Sequence, residues 1–169
     1  PLVFAGETQR VLKARALWAR LMRAAYDTAE PGVLFVDAIN RDNTLAGIEA
    51  LSATNPCGEI PLPPYGACDL GSLNLAAFVR APFEPDASFD HAALADATRT
   101  AVRLLDDVID ASRYPLPAQA EEARAKRRVG LGVTALADAL AMLGLHYDSD
   151  AARDFAASLM RGVRDVAYR

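Results

Sequence analysis

Between Asn55 and Leu75 the chain gathers both of its cysteines with an amide, a carboxylate and four prolines: Asn55-Pro56-Cys57-Gly58-Glu59-Ile60-Pro61-Leu62-Pro63-Pro64-Tyr65-Gly66-Ala67-Cys68-Asp69-Leu70-Gly71-Ser72-Leu73-Asn74-Leu75. A thiol can trade hydrogen atoms or act as a nucleophile, a carboxylate within hydrogen-bond reach takes protons, and an amide both donates and accepts. Side chains at i, i+2 and i+4 of an extended chain share a face. Alternation therefore predicts that Asn55, Cys57 and Glu59 converge on one space. Prolines on both sides restrict the unfolded chain and stiffen the loop, which suits a site that must hold its geometry closely.

Other readings of the cysteines compete. Zinc would use cysteine beside acidic residues, but the ten residues between Cys57 and Cys68 fit no compact finger, and His91 and His146, the only histidines, lie far off in sequence. A cysteine hydrolase needs a histidine to generate its thiolate, and neither histidine sits in an obvious constellation. Two buried cysteines in a proline-rich structural loop remain the bland alternative.

The elements that must position this loop are mostly helical. Apolar residues recur at three- and four-residue steps from Gln9 to Tyr26, which predicts an amphipathic helix broken by Glu30-Pro31-Gly32. Val33-Leu34-Phe35-Val36 fits either a buried strand or a first helical turn. The prolines between Thr54 and Tyr65 exclude a regular helix there. From Asp90 to Arg113, Leu94, Ala97, Ala101, Leu104, Leu105, Val108 and Ile109 form a second apolar stripe, capped by Asp90 and ended by Tyr114-Pro115-Leu116-Pro117. A short charged helix over Ala118 to Lys126 follows, then a strand at Arg128-Val129-Gly130-Leu131-Gly132-Val133 with closely approached glycines. Two more helices, Thr134 to Leu143 with Gly144 behind it and Ser149 to Tyr168 with Ser149 as N-cap, complete the chain. The fold class expected is α/β, predominantly helical with a few short strands.

At 169 residues the chain has the size of one domain or a piece of a larger one, and folded as a single compact body it would expose roughly 8,000 Å². Its 52% hydrophobic and 24% charged residues exclude disorder. A net charge of −4 argues against nucleic-acid binding, and the run Arg124-Ala125-Lys126-Arg127-Arg128 reads as a solvated helix end. No apolar run is long enough to span a bilayer and no signal peptide opens the chain, so neither a membrane nor a secreted protein is expected. Two cysteines without a signal peptide point to a reducing compartment, the cytoplasm, and to free thiols. The proline start and the helical pattern running to Arg169 suggest an excised fragment.

Taken together the motifs resemble the ribonucleotide reductases, most closely the adenosylcobalamin-dependent class. Asn-Pro-Cys-Gly-Glu, the prolines and Cys-Asp-Leu-Gly-Ser-Leu-Asn-Leu are similar to that family's catalytic loop, here about residues 54–75. Phe35-Val36-Asp37-Ala38-Ile39-Asn40-Arg41-Asp42-Asn43 and Arg128-Val129-Gly130-Leu131-Gly132-Val133-Thr134-Ala135-Leu136-Ala137-Asp138 are similar to its flanking segments, in family order. The Pro before Cys57 favours the cobalamin class over the class that receives its radical from a separate di-iron subunit.

The resemblance implies a thiyl-radical oxidoreductase that replaces the 2′-hydroxyl of a ribonucleotide by hydrogen, supplying deoxyribonucleotides for DNA synthesis. Cys57 would carry the radical and take the 3′-hydrogen, Glu59 would accept the 3′-hydroxyl proton, and Asn55 would hold the ribose hydroxyls. Cys68 would be one of two reducing thiols, its partner lying outside this chain. The whole, 1–169, would be a single fragment of the family's ten-stranded α/β barrel. Adenosylcobalamin would be the cofactor, with no contact residue named here. A ribonucleotide substrate, the remainder of the parent chain and a thioredoxin-like dithiol would be partners, copies of the fragment would pair as a homo-oligomer through uncovered helical faces, and the isolated chain would be inactive. The alternative is a non-catalytic helical interaction module whose cysteines are incidental.

Overall fold

A computed structural model describes residues 1–169 and contains six α-helices and eight short strands. Backbone packing divides them into two units, Pro1–Leu51 and Ser52–Arg169. No helix is long and apolar enough to cross a membrane.

In the first unit β1 (Leu2–Phe4) and β2 (Glu7–Arg10) form an antiparallel hairpin. Ala5 and Gly6 turn it at φ 50° and 82°, the left-handed pair whose twist matches that of the flanking strands. This corrects the expected helix from Gln9: Arg10 ends a strand, and α1 runs over Ala14–Thr28, closed by left-handed Ala29. Its apolar stripe buries no residue. Of the two readings for Val33–Val36 the helical one holds in part, because α2 (Val36–Arg41) starts at Val36 while Val33, Leu34 and Phe35 stay exposed. Asn40 then ties the end of the unit: its amide donates to the Leu51 carbonyl and accepts from the Leu51 N–H, each at 2.8 Å.

The second unit holds the core. β3 (Ala53–Thr54) and β4 (Pro61–Leu62) make a small antiparallel hairpin. β5 (Asp69–Asn74) runs into a 3₁₀ turn at Leu75–Phe78, and β6 (Val79–Arg80) pairs antiparallel with β7 (Ser88–Phe89). Next come α3 (His91–Ala111), α4 (Pro117–Lys126), β8 (Val129–Thr134), α5 (Leu136–Met142) and α6 (Asp150–Ala167). The expected caps are in place, since Asp90 Oδ1 accepts from Ala93 N at 3.0 Å and Ser149 Oγ from Ala152 N at 3.2 Å. Gly144 lies just past α5 at φ 70°, in the left-handed region that glycine enters without a Cβ penalty.

β5 and β8 are the one parallel pair, in register from Asp69↔Val129 to Asn74↔Thr134, and α3 packs on both. Leu75, Leu94, Ala139, Leu159 and Val163 form the buried centre, joined by Phe89 and Phe155, whose rings meet edge to face. A mixed α/β fold dominated by helix is as expected; every sheet has two strands and none closes into a barrel. The α3 stripe divides along its length: Leu94, Leu105 and Ile109 are buried, while Leu104 and Val108 face solvent. Of the helical faces expected to be left uncovered, the one that carries Leu94, Ala101, Leu105 and Ile109 is covered, with Ala101 half-buried and the others buried, because β5, β8 and α6 pack on their helix. Phe4, Tyr26 and Phe35 in the first unit and Leu104 in the second are among the exposed apolar groups.

Candidate active site

Pro56 has no N–H to give and a φ already set for the second position of a turn. The chain turns there: the Gly58 N–H donates to the Asn55 carbonyl at 3.1 Å, and Gly58 sits at φ 85°, where any side chain would be strained. Cys57 occupies the tip, exposed and with a free thiol. The extended alternation expected for Asn55, Cys57 and Glu59 is therefore corrected. A β-turn between β3 and β4 interrupts the period of two.

The turn brings the amide and the carboxylate together all the same. Asn55 Nδ2 donates to Glu59 Oε1 at 2.6 Å, while Asn55 Oδ1 accepts from Ile60 N at 3.0 Å and the Asn55 and Ile60 backbones join through a 3.2 Å bond. One asparagine thus fixes the hairpin and the carboxylate on either side of Cys57. Neither Asn55 nor Glu59 is drawn away into a helix cap.

Cys68 lies in a different setting, at the start of β5 and opposite the start of β8. It is half-buried and unbonded, and its thiol lies 3.6 Å from the Asp69 carbonyl. Burial pushes the Cys68 thiol up from its ordinary range, the Asp69 carboxylate adds to that push, and the Arg128 guanidinium opposes it. With Asp69, Ser112, Tyr114 and Arg128 it lines a cavity of about 210 Å³. Gly130 is the closely approached glycine expected in β8: a methyl there would run into the Leu70 side chain and come within 3.9 Å of Cys68 Sγ.

The basic run before β8 is not a solvated helix end. Arg127 closes α4 in a left-handed conformation and clamps α3, donating to Asp106 Oδ1 at 2.7 Å and to both Asp110 oxygens at 2.9 and 3.0 Å. Lys126 and Arg128 both bond Glu122, at 2.5 and 3.2 Å, with their side chains largely buried. Sequence reasoning missed Arg128 as an element of the Cys68 wall and Arg127 as the clamp between α4 and α3. For Arg127 a signal was there to read, the acidic pair Asp106 and Asp110, four residues apart on one helix face.

The family model for the ribonucleotide reductase barrel domain matches residues 4–169. A vitamin B12-dependent ribonucleoside-diphosphate reductase of Mycobacterium tuberculosis is 46% identical over 163 residues, 96% of this chain and 23% of that protein. One of the same name from Thermoplasma acidophilum is 39% identical over 94% of this chain and 20% of its own length. A ribonucleoside-diphosphate reductase large chain of Neurospora crassa is 34% identical over 87% of this chain and 16% of its own length. The chain thus spans under a quarter of the length of these relatives, and its matched region takes in the turn, both thiols and the β5–β8 pair. It belongs to the ribonucleotide reductase barrel-domain family.

Proposed function

We propose that this chain is the part of a vitamin B12-dependent ribonucleoside-diphosphate reductase that carries the radical thiol, the base and one reducing thiol. The observation that supports it most is the turn in which Asn55 bonds Glu59 at 2.6 Å while Cys57, two residues before that carboxylate, stays exposed with a free thiol. The relatives at 46% and 39% identity are both named as B12-dependent, which favours that radical source. The substrate is taken as a ribonucleoside diphosphate because the names of those relatives state it for them.

On this reading Cys57 loses its thiol hydrogen atom, and the resulting thiyl takes the 3′-hydrogen of the ribose. Glu59 accepts the 3′-hydroxyl proton. The Asn55 bond to one carboxylate oxygen keeps the group oriented and leaves the second oxygen for the substrate hydroxyl. Cys68 and a second thiol beyond this chain supply the two electrons that reduce C2′, with water leaving and the pair ending as a disulfide. Adenosylcobalamin supplies, when bound, the carbon radical that starts the cycle. The exposure of Cys57 suits its approach, and no residue of this chain is assigned to hold it. A thioredoxin-like dithiol restores the cysteine pair. β5 and β8 are neighbouring strands of the family's ten-stranded barrel, whose remaining strands cover the exposed faces, and the enzyme works in the cytoplasm as a homo-oligomer.

The test is Cys57→Ser in the full-length parent enzyme, with deoxyribonucleotide formation measured in the presence of cofactor and dithiol. Loss of product with nucleotide binding retained is expected. Turnover that survives the substitution sinks the assignment. The 169-residue chain alone is expected to make no product, since substrate positioning by the missing elements is worth about 7–11 kcal/mol of barrier.

A further inference from the structure

Both carboxylate oxygens of Asp69 are shielded from solvent, and neither accepts a hydrogen bond. An ionisable side chain in that condition is unusual, because burying a charge without a partner is costly. The other polar groups of the cavity do not serve it: the Ser112 hydroxyl donates to the Val108 carbonyl at 2.6 Å, and the Tyr114 hydroxyl to the Ile109 carbonyl at 3.1 Å. Arg128 lines the same cavity, but its guanidinium is turned to Glu122, which also holds Lys126. The charged and titratable groups around the Cys68 sulfur are therefore Asp69 on β5, Arg128 before β8 with Glu122 and Lys126 of α4 behind it, and Tyr114 from the α3–α4 connection.

We propose that Asp69 and Arg128 are positioning residues for Cys68, two opposed charges on one cavity wall that bias its half-buried sulfur in opposite directions between thiol and thiolate. While ionised, a carboxylate with no donor bonded to it acts on its neighbour without an opposing dipole to offset its charge. Asp69 favours the thiol and Arg128 favours the thiolate, the reactive form in disulfide exchange. Any donor that reaches Asp69 weakens one side of this balance and leaves Arg128 to release the proton. The meaning of that device for turnover rests on the reading of Cys68 as a reducing thiol; its existence does not.

Cys57→Ser leaves Cys68 as the sole thiol of the chain, so its alkylation by iodoacetamide can be followed from about pH 6 to about pH 10, a range that brackets ordinary thiol ionisation. The midpoint of that profile reports protonation, and the plateau reports access. In this background Asp69→Asn should move the midpoint to lower pH, making alkylation at neutral pH roughly three- to tenfold faster. Arg128→Gln should move it to higher pH by a similar factor, and Arg128→Lys should restore the parent profile. Circular dichroism of each variant checks the fold, and should Asp69→Asn fail to fold, the two Arg128 variants decide the question. Midpoints that stay in place, or that move in the same direction for both charges, overturn the proposal. Deoxyribonucleotide formation by a Cys68→Ser full-length enzyme, measured separately, would refute the redox reading and leave the charge pair standing.

Discussion

The two thiols of this chain lie eleven residues apart and live under different physics. Cys57 rides on a turn whose geometry is local: a proline, a left-handed glycine, and one asparagine that bonds the carboxylate and the strand within five residues of itself. Cys68 is placed by elements far apart in sequence, since α3, α4 and the start of β8 wall its cavity. A site held by local bonds can stay exposed and open to a substrate. A site held by long-range packing can be partly withdrawn from water, where neighbouring charges act strongly on a sulfur.

Substitutions should separate these two modes of support. The largest effect is expected at Leu105, which is 6% exposed and packs 3.5 Å from where a Cβ on Gly71 would stand. Leu105→Ala should cost about 2–5 kcal/mol in thermal or denaturant unfolding. It should also raise the alkylation of Cys68 while leaving that of Cys57 near its starting rate. Equal acceleration of the two thiols would show that the turn depends on the same packing after all.

Asn55→Ala makes the opposite cut. It removes the bonds to Glu59 Oε1 and Ile60 N, worth about 0.5–1.5 kcal/mol each at most in so exposed a place. Hydrogen exchange at the Ile60 amide should speed up about tenfold, with little change in the melting of the Ser52–Arg169 unit. A fall in stability as large as that of Leu105→Ala would contradict a locally held turn.

The smallest effect is an acid one, confined to the contact of α4 with α3 behind the Cys68 cavity wall. The Arg127 guanidinium, bonded to Asp106 and Asp110, holds both carboxyls below the usual aspartate range. Groups depressed in the folded state contribute stability that is present above their unfolded value, near about 3.9, and is lost as pH falls through the lower folded one. Amide exchange in α4 should therefore stay slow at mildly acid pH and rise only below the ordinary aspartate range. Arg127→Ala should show the fast exchange already at neutral pH. A wild-type rise at a pH well above that range would show that this clamp does not hold α4.

Local patterns were legible because their causes are local. The stripe from Asp90 to Arg113, the caps at Asp90 and Ser149, the glycine behind α5 and the strand at Val129–Thr134 each follow from spacing or from one side chain's hydrogen bond. The hairpin at Leu2–Arg10 was hidden because Ala5, a residue that rarely adopts positive φ, takes half of its turn. Chemistry was legible in part: the identities of Asn55, Cys57, Glu59 and Cys68 stand in one short segment, yet Asn55 meets Glu59 through a turn that no period of two describes, and Cys68 stands apart from it. Tertiary structure alone decided which charges surround Cys68. Arg128 stands sixty residues further along the chain, and only the parallel register of β5 with β8 sets it beside Cys68 and Asp69. A sequence determines what each residue can do within reach of its neighbours; which distant groups come within reach is determined by packing, because burial and charge act through space and not along the chain.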